Sequence, residues 1–405
     1  MEAGRVRAWW FHRQGLDGGL HGEPPARVLE RTGWARSVGG SGPYLGLRAR
    51  CGAGREAVDR AIAALEIHEL PSARGCTYVV PASDFALALR LSQDFGPEAD
   101  MRVARKLGVT DAEVDRLCAA VLDALRQEPL SPDEIRVATG GAARSLGDAG
   151  KKKGITTTLP LALGRLQTAG EIRRVPINGR LDQQRYRYAL WRPNPLDGFR
   201  LSAAECQVEL ARRFFHWIGP ASLAELAAFA ALGVKAARAA IEPLQLDSLP
   251  GDDAQRLVLP EHLAELETFA APAKPRFALV ANLDGILLLR RDVKSLLVPE
   301  DWTRQAAGDQ GPVEVGAIAD LPNHAILDRG RLIGLWEHDP EAGEIAWTCF
   351  HRVDAENPAL RAAVAATAEY VRGDLGDMRA FSLDSPKSRQ PRLARLRAAQ
   401  ADQAE

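Results

Sequence analysis

Residues 154–191, GITTTLPLALGRLQTAGEIRRVPINGRLDQQRYRYALW, constrain the fold more than any other stretch. Thr156, Thr157 and Thr158 offer hydroxyls to the unpaired N–H groups of a helix's first turn. Leu159, Leu163 and Leu166 then set an apolar stripe at helical spacing, and Gly170 ends it. Residues 172–176 and 184–190 alternate like strands, with Asn178-Gly179 as a tight-turn signal between them. A short helix followed by a basic hairpin predicts the second half of a winged helix-turn-helix. Arg165, Arg173, Arg174, Arg180, Arg185 and Arg187 would grip phosphates, with Lys151, Lys152 and Lys153 in the preceding loop and Thr156, Thr157 and Thr158 at the helix start. The competing reading is a protein-binding winged helix with a solvated wing, its lysines a solvated loop.

Charge supports the first reading only when counted locally. The whole chain carries a net charge of −1. Residues 144–187 hold ten Lys/Arg against three acids, whereas residues 201–270 hold five against ten. Charges separated by much more than ~8 Å of salt water barely interact, so one basic face on a near-neutral molecule is allowed.

The rest of the chain predicts an α+β protein: three tandem winged helix-turn-helix units followed by a small C-terminal antiparallel β domain. The expected divisions are 1–96 (a degenerate winged helix), 97–192 (the basic one), 201–270 (a third), 271–380 (a β barrel or sheet with a closing helix) and 381–405 (a basic flexible tail). In the first unit, helices are expected at 5–14, 26–32 and 55–64, a strand at 75–80, and a helix from Pro81. Asp59 and Asp84 read as helix-surface or helix-cap acids. The tail carries five basic residues and no acid over 386–397, which suits a phosphate-binding arm or a solubilising end. There is no run of 18 apolar residues and the N-terminus has no signal-peptide core, so neither a membrane span nor a leader is expected. Five scattered cysteines form no C-x-x-C pair; no metal site and no cofactor are expected, and a reducing cytoplasm is the expected setting.

Several motifs, in order, resemble those of the AlkZ-like (YcaQ-like) DNA glycosylase family. They are Arg13-Gln14-Gly15-Leu16, Tyr44-Leu45-Gly46-Leu47-Arg48-Ala49-Arg50, the strand from Arg74-Gly75-Cys76 through Pro81-Ala82-Ser83-Asp84, Asn282-Leu283-Asp284, and Gly330-Arg331-Leu332-Ile333-Gly334-Leu335-Trp336. The resemblance implies a C-shaped protein that binds double-stranded DNA and hydrolyses the N-glycosidic bond of alkylated or crosslinked purines. Alkylation at N7 makes the base a good leaving group, so the enzyme mainly stabilises an oxocarbenium-like sugar and holds one water. A cytoplasmic, nucleoid-associated monomer is expected.

One departure matters. The family's catalytic Gln-x-Gln or Gln-x-Asp pair would fall on Arg36 and Val38. A guanidinium stays protonated at neutral pH, and valine cannot orient water. Glu69 and His68, beside the matching Arg-Gly strand at Arg74, are candidate substitutes: a carboxylate to activate water and a histidine to tune it. A structural Glu69–Arg74 ion pair is the bland alternative. The chain is thus expected to be a glycosylase-like enzyme, a non-catalytic DNA-binding protein (damage recognition or transcription), or a winged-helix interaction scaffold.

Overall fold

The computed structural model describes residues 2–95, 97–183, 185–308 and 311–404. The first unit contains α1 (Ala3–Arg13), α2 (Pro25–Thr32), β1 (Ala35–Arg36), α3 (Gly42–Cys51), α4 (Arg55–Ala63), β2 (Ile67–Pro71), β3 (Thr77–Pro81) and α5 (Phe85–Ser92). Its three strands form an antiparallel sheet in the order β1-β3-β2. Strand β2 had no clear sequence signal, because Ile-His-Glu-Leu-Pro breaks the apolar alternation yet is almost wholly buried.

The second unit contains α6 (Pro97–Arg105), α7 (Asp111–Ala124), α8 (Pro132–Ala138), α9 (Gly147–Lys151), α10 (Leu159–Thr168), β4 (Ile172–Pro176) and β5 (Tyr186–Leu190). Local chemistry starts its helices. Thr110 accepts from the Glu113 amide, and Ser131 and Glu134 form a reciprocal capping box. Two expectations need correcting. The helix at 159 does not use threonine caps: Thr158 Oγ1 is buried and accepts from the Arg144 amide at 3.0 Å. Asn178-Gly179 is not a two-residue hairpin. It opens the connection 177–185, while Gln184, the expected first strand residue, lies outside the described residues. Leu181 in that connection is buried, and its amide donates to Tyr44 Oη at 3.0 Å. The connection between β4 and β5 therefore docks on the first unit instead of projecting. Asp59, expected at a helix surface, belongs to this seam: it accepts from Tyr44 Oη at 2.6 Å and pairs with Arg55.

Next come α11 (Ala203–Ile218), α12 (Leu223–Ala230), α13 (Val234–Ile241), β6 (Asp247–Ser248), β7 (Leu257–Val258) and α14 (Pro260–Thr268). Capping boxes at Ser202/Glu205 and Ser222/Glu225 start the first two helices. Asp84, the other acid expected at a helix cap, is buried and bridges two units. It accepts from Trp34 Nε1 at 2.6 Å and from Arg213 Nη2 at 2.7 Å.

The C-terminal part contains β8 (Phe277–Val280), α15 (Gly285–Leu288), the hairpin β9 (Gln305–Gly308) and β10 (Gly311–Glu314), β11 (His324–Asp328), β12 (Arg331–Asp339), β13 (Glu344–Cys349), α16 (Arg352–Ala355), α17 (Pro358–Tyr370) and α18 (Pro386–Ala404). Its main sheet is antiparallel, in the order β13-β12-β11-β8. Residues of the second unit enclose an apolar core of their own. The first unit has none: Trp9, Trp10 and Trp34 share one cluster with Phe214, Phe215 and Val280.

The expected flexible tail is instead α18, packed along β12 and β13. Three of its five basic residues already hold carboxylates, whereas Lys387 and Arg395 make no ion pair among the described residues. Fully buried Arg389 pairs with Asp377 and Asp384 at 2.8 and 3.1 Å, Arg392 reaches Glu337 at 2.6 Å, and Arg397 pairs with Asp339. Burial pushes the Asp384 carboxyl up, but the Ala380 amide and Arg392 outweigh it and hold it below its ordinary value. A depressed carboxyl stabilises above its unfolded pKa, and that stability is lost as pH falls through the folded one. Glu337 acts with the opposite sign, since burial raises it, so acidification relieves its cost. We expect the Asp384 effect to prevail. Protection factors of the 386–404 amides, each normalised to the unprotected rate at the same pH, should be high at pH 7 and much lower near pH 3; equal protection at both would refute this.

Candidate active site

The three residues singled out as catalytic do not share a surface. Side chains alternate along a strand, and directly opposed residues in an antiparallel pair share a face. The register pairs Glu69 with Val79 and Val79 with Ala35. It pairs Arg36 with Tyr78 and His68 with Val80, on the other face.

Arg36 sits over the Tyr78 ring, 5.5 Å from its centroid, and donates to the carbonyls of Ser37 and Thr77. His68 is buried between Phe85 and Trp191, with ring centroids 6.1 and 5.3 Å away, and neither ring nitrogen has a hydrogen-bond partner among the described residues. Burial first, then the charges of Arg173 and Arg174, push its pKa down to about 3. It is a neutral ring at physiological pH and does not contact the carboxylate it was expected to tune.

Glu69 faces the other way, 4 % exposed. Ser37 Oγ donates to its Oε1 at 2.5 Å. Its Oε2 makes no hydrogen bond of ordinary geometry among the described residues, lies 3.9 Å from Arg174 Nη1 on β4, and is close enough to the Tyr186 phenol to help hold its proton. Arg174 also covers Tyr186 on β5, 5.2 Å from the ring centroid. Burial, followed by the negative charge of Glu69 and a hydrogen bond to it, raises the Tyr186 phenol, which stays protonated. The expected partner, Arg74, is not there: it occupies the β2–β3 turn at φ +60° and makes no ion pair among the described residues. Ser37 was missed because it carries no motif. Only the β1–β3 register, extended by the bond from the Ser37 amide to the Thr77 carbonyl, turns it toward Glu69.

The loop after β1 is covered from outside. The Ser382 amide donates to the Val38 carbonyl at 3.0 Å, and the Ser41 amide to the Arg379 carbonyl at 2.7 Å. A Cβ at Gly40 would lie 2.3 Å from the Ala380 carbonyl oxygen, so only glycine fits. Val38 is thus a packed loop residue.

Five of the ten basic residues in 144–187 already hold a carboxylate. Arg144 binds Glu113, Arg165 binds Asp111 and Asp115, Arg174 binds Glu69, Arg180 binds Asp182, and Arg187 reaches Glu134. Lys151, Lys152, Lys153 and Arg185 are exposed, and Arg173 is half-buried; none of the five makes an ion pair among the described residues. Thr156 and Thr157 line a cavity of about 540 Å³ between the β2–β3 turn and α10, and Arg174 forms part of its wall.

The family-like motifs meet elsewhere, in one buried network. Arg50 forms a two-pronged ion pair with Asp284, both bonds 2.7 Å, and also donates to Gln14 Oε1 at 2.8 Å. Gln14 Nε2 donates to the carbonyls of Thr32 and Trp217. Gly330 has φ +81°, and a Cβ there would lie 2.0 Å from the Arg7 carbonyl oxygen. These motifs weld the N-terminal unit to the C-terminal part.

Among the described residues, no helix is long and apolar enough to cross a membrane. No curated protein matches the chain. The solved structure of Streptomyces sahachiroi DNA glycosylase AlkZ is similar in fold, with a TM-score of 0.67 at 20 % identity, over 92 % of this chain and 97 % of that one. A family model described as DNA glycosylase AlkZ-like matches residues 18–372. With the motif residues converging as they do, the chain belongs to the AlkZ-like DNA glycosylase family.

Proposed function

We propose that the protein is a DNA-repair glycosylase that releases alkylated or crosslinked purines from duplex DNA, with Glu69 as its carboxylate. In this reading residues 1–96, 97–192 and 201–270 are three winged helices, followed by the β domain. The observation that carries the catalytic assignment is the state of Glu69: a buried carboxylate with Oε1 fixed by Ser37 and Oε2 facing Arg174 and Tyr186 without a hydrogen bond of ordinary geometry among the described residues. Such an oxygen can take a proton from water. The water oxygen bonds to the sugar C1′, the bond from C1′ to the base nitrogen breaks, and the base leaves with that electron pair. An N7-alkylated purine departs neutral and needs no acid. A carboxylate beneath the cationic sugar also stabilises the transition state. Arg174 and Ser37 position Glu69. The test is incubation with a duplex containing N7-methylguanine, scored by strand scission at abasic sites. Time-dependent scission is expected.

A second reading has its own support. Arg36 and Val38 replace the family's catalytic pair, and both are engaged in local structure. If the wild type binds alkylated duplex tightly but releases no base, the protein is a DNA-binding relative without the chemistry.

Phosphate contact falls to the cations without carboxylate partners. Replacing Lys151, Lys152 and Lys153 together by alanine should reduce the slope of log affinity against log salt by about 2–3, since each phosphate contact contributes roughly 0.9. An unchanged slope in a titration from low to physiological salt would remove this loop from the interface. Reversing Arg174 would set a second carboxylate beside Glu69, and would test the site rather than phosphate binding.

A further inference from the structure

Three segments far apart in sequence meet at a second cavity, of about 610 Å³: the start of α1, the linker after α14 and the turn between β11 and β12. Gly330 lets them meet, because only a residue without a Cβ can rest against the Arg7 carbonyl there. The contact brings Arg5 and Arg7 of α1 to the same cavity as Arg329 and Arg331. Two carboxylates, Glu2 and Asp328, also line it.

The four guanidiniums differ in what they hold. Arg329 is fully engaged: it pairs with Asp328 at 2.9 Å and donates to the Pro272 and Ala273 carbonyls. Arg331 gives one nitrogen, Nη2, to Asp354 at 2.9 Å. Arg7 makes no ion pair among the described residues and gives only Nη1, to the Leu297 carbonyl at 3.3 Å. Arg5 gives only Nη2, to the Glu267 carbonyl. Arg7 Nε and Nη2, Arg5 Nη1 and Arg331 Nη1 thus make no hydrogen bond among the described residues, and they are not sealed from solvent. Burial, then the charge of Arg331, pushes the Arg7 guanidinium below its ordinary pKa, and no carboxylate counters them. Bringing like charges together costs Coulomb energy, which an anion between them reverses.

The chemistry of the walls narrows the anion. Free donors come from α1 on one side and from β12 on the other. A carboxylate offers two oxygens in one plane, whereas a phosphate offers terminal oxygens in several directions, and guanidinium is the group suited to them. Near pH 7 a phosphate monoester is close to dianionic, which matches Arg5 and Arg7, neither held by a carboxylate. The wall formed by Phe269, Ala270, Ala271 and Pro272 is apolar, and the volume suits a small organic molecule better than a bare ion. Glu2 at the rim and Glu267, next to the Thr268 wall, are exposed carboxylates. They oppose a duplex, with its charge every ~1.7 Å, far more than a small ester. We propose that this cavity binds a small phosphate monoester with an apolar body. The site lies beyond the proposed repair reaction and does not depend on it.

The experiment is isothermal titration calorimetry on the full chain with phenyl phosphate, inorganic phosphate and phenol. Wild type should bind phenyl phosphate about tenfold tighter than inorganic phosphate, because the apolar wall covers the ring, and should not bind phenol. Arg7→Met keeps the apolar stem and should keep the melting temperature, but should weaken both phosphates about tenfold or more. Ala271→Trp, on the exposed linker, fills the apolar side. It should weaken phenyl phosphate about tenfold and leave inorganic phosphate within about threefold. No binding of either phosphate by wild type at millimolar concentration would overturn the proposal. So would phenyl phosphate binding no tighter than inorganic phosphate, equal affinities in wild type and Arg7→Met, or wild-type affinity for phenyl phosphate in Ala271→Trp. Displacement of bound phenyl phosphate by an equimolar unphosphorylated duplex would also overturn it, since the cavity would then belong to a nucleic-acid surface.

Discussion

Glu69→Gln should lower base release from an N7-methylguanine duplex by about 10²–10⁴-fold, the range typical of a lost general base. Duplex affinity should stay within about twofold. The amide matches the carboxylate in size and can still accept from Ser37 Oγ, so packing is kept while basicity and negative charge are lost together. Ser37→Ala should cost less, about tenfold, because it frees the carboxylate's orientation without removing it. Arg36→Ala should leave the rate within about threefold, since that side chain lies over Tyr78 on the opposite sheet face. A Glu69→Gln protein as active as wild type, or an inactive Arg36→Ala protein that is well folded, would refute the assignment.

The largest loss of stability is expected from Asp284→Ala. Arg50 and Asp284 are 5 % and 2 % exposed at their side chains, and each answers the other with two bonds. Removing the carboxylate leaves a buried guanidinium with only Gln14 and the Gly46 carbonyl as partners. Breaking such a pair typically costs about 3–5 kcal/mol. Guanidinium-induced unfolding should register a loss of that size. The double variant Arg50→Met/Asp284→Leu should lose less than Asp284→Ala alone, because it removes both charges. A loss under about 1 kcal/mol in Asp284→Ala would mean that water reaches the pair.

Legibility in the sequence followed the range of the cause. Ser131 with Glu134 and Ser222 with Glu225 act over three residues, so those helix starts could be read directly. The strands of the C-terminal sheet carried their own apolar runs. Long-range pairing was not legible. The α18 arginines looked like a solvated tail because their acids lie up to 58 residues earlier, at Asp339 and Glu337. The count of ten cations against three acids over 144–187 overstated the basic face, because the neutralising Glu69, Asp111, Glu113, Asp115 and Glu134 lie outside that window. Within the site, Glu69 could be picked out as the acid nearest a family-like strand. Ser37 and Arg174 could not, because strand register and the docking of the β4–β5 hairpin bring them there. The motif residues Gln14, Arg50 and Asp284 could be named from sequence, but their convergence on one ion pair was visible only in three dimensions.

The weld between the chain's beginning and its last third also governs when the protein can fold. The indole N–H groups of Trp9 and Trp10 donate to the carbonyls of Gly219 and Pro220, and Trp10 lies beneath Arg290, 3.5 Å from its ring centroid. Arg50 finds its carboxylate 234 residues later. At ~5–20 residues per second on the ribosome, that interval is roughly 10–50 seconds of synthesis. The nascent first unit waits for its indole acceptors until Pro220 is made and for its counter-ion until Asp284 is made. The second unit, which encloses its own core, can complete itself in the meantime. The order of folding is therefore not the order of translation: the middle of the chain can settle before its beginning. A fragment released at residue 96 would leave the Trp9 and Trp10 indoles without their acceptors.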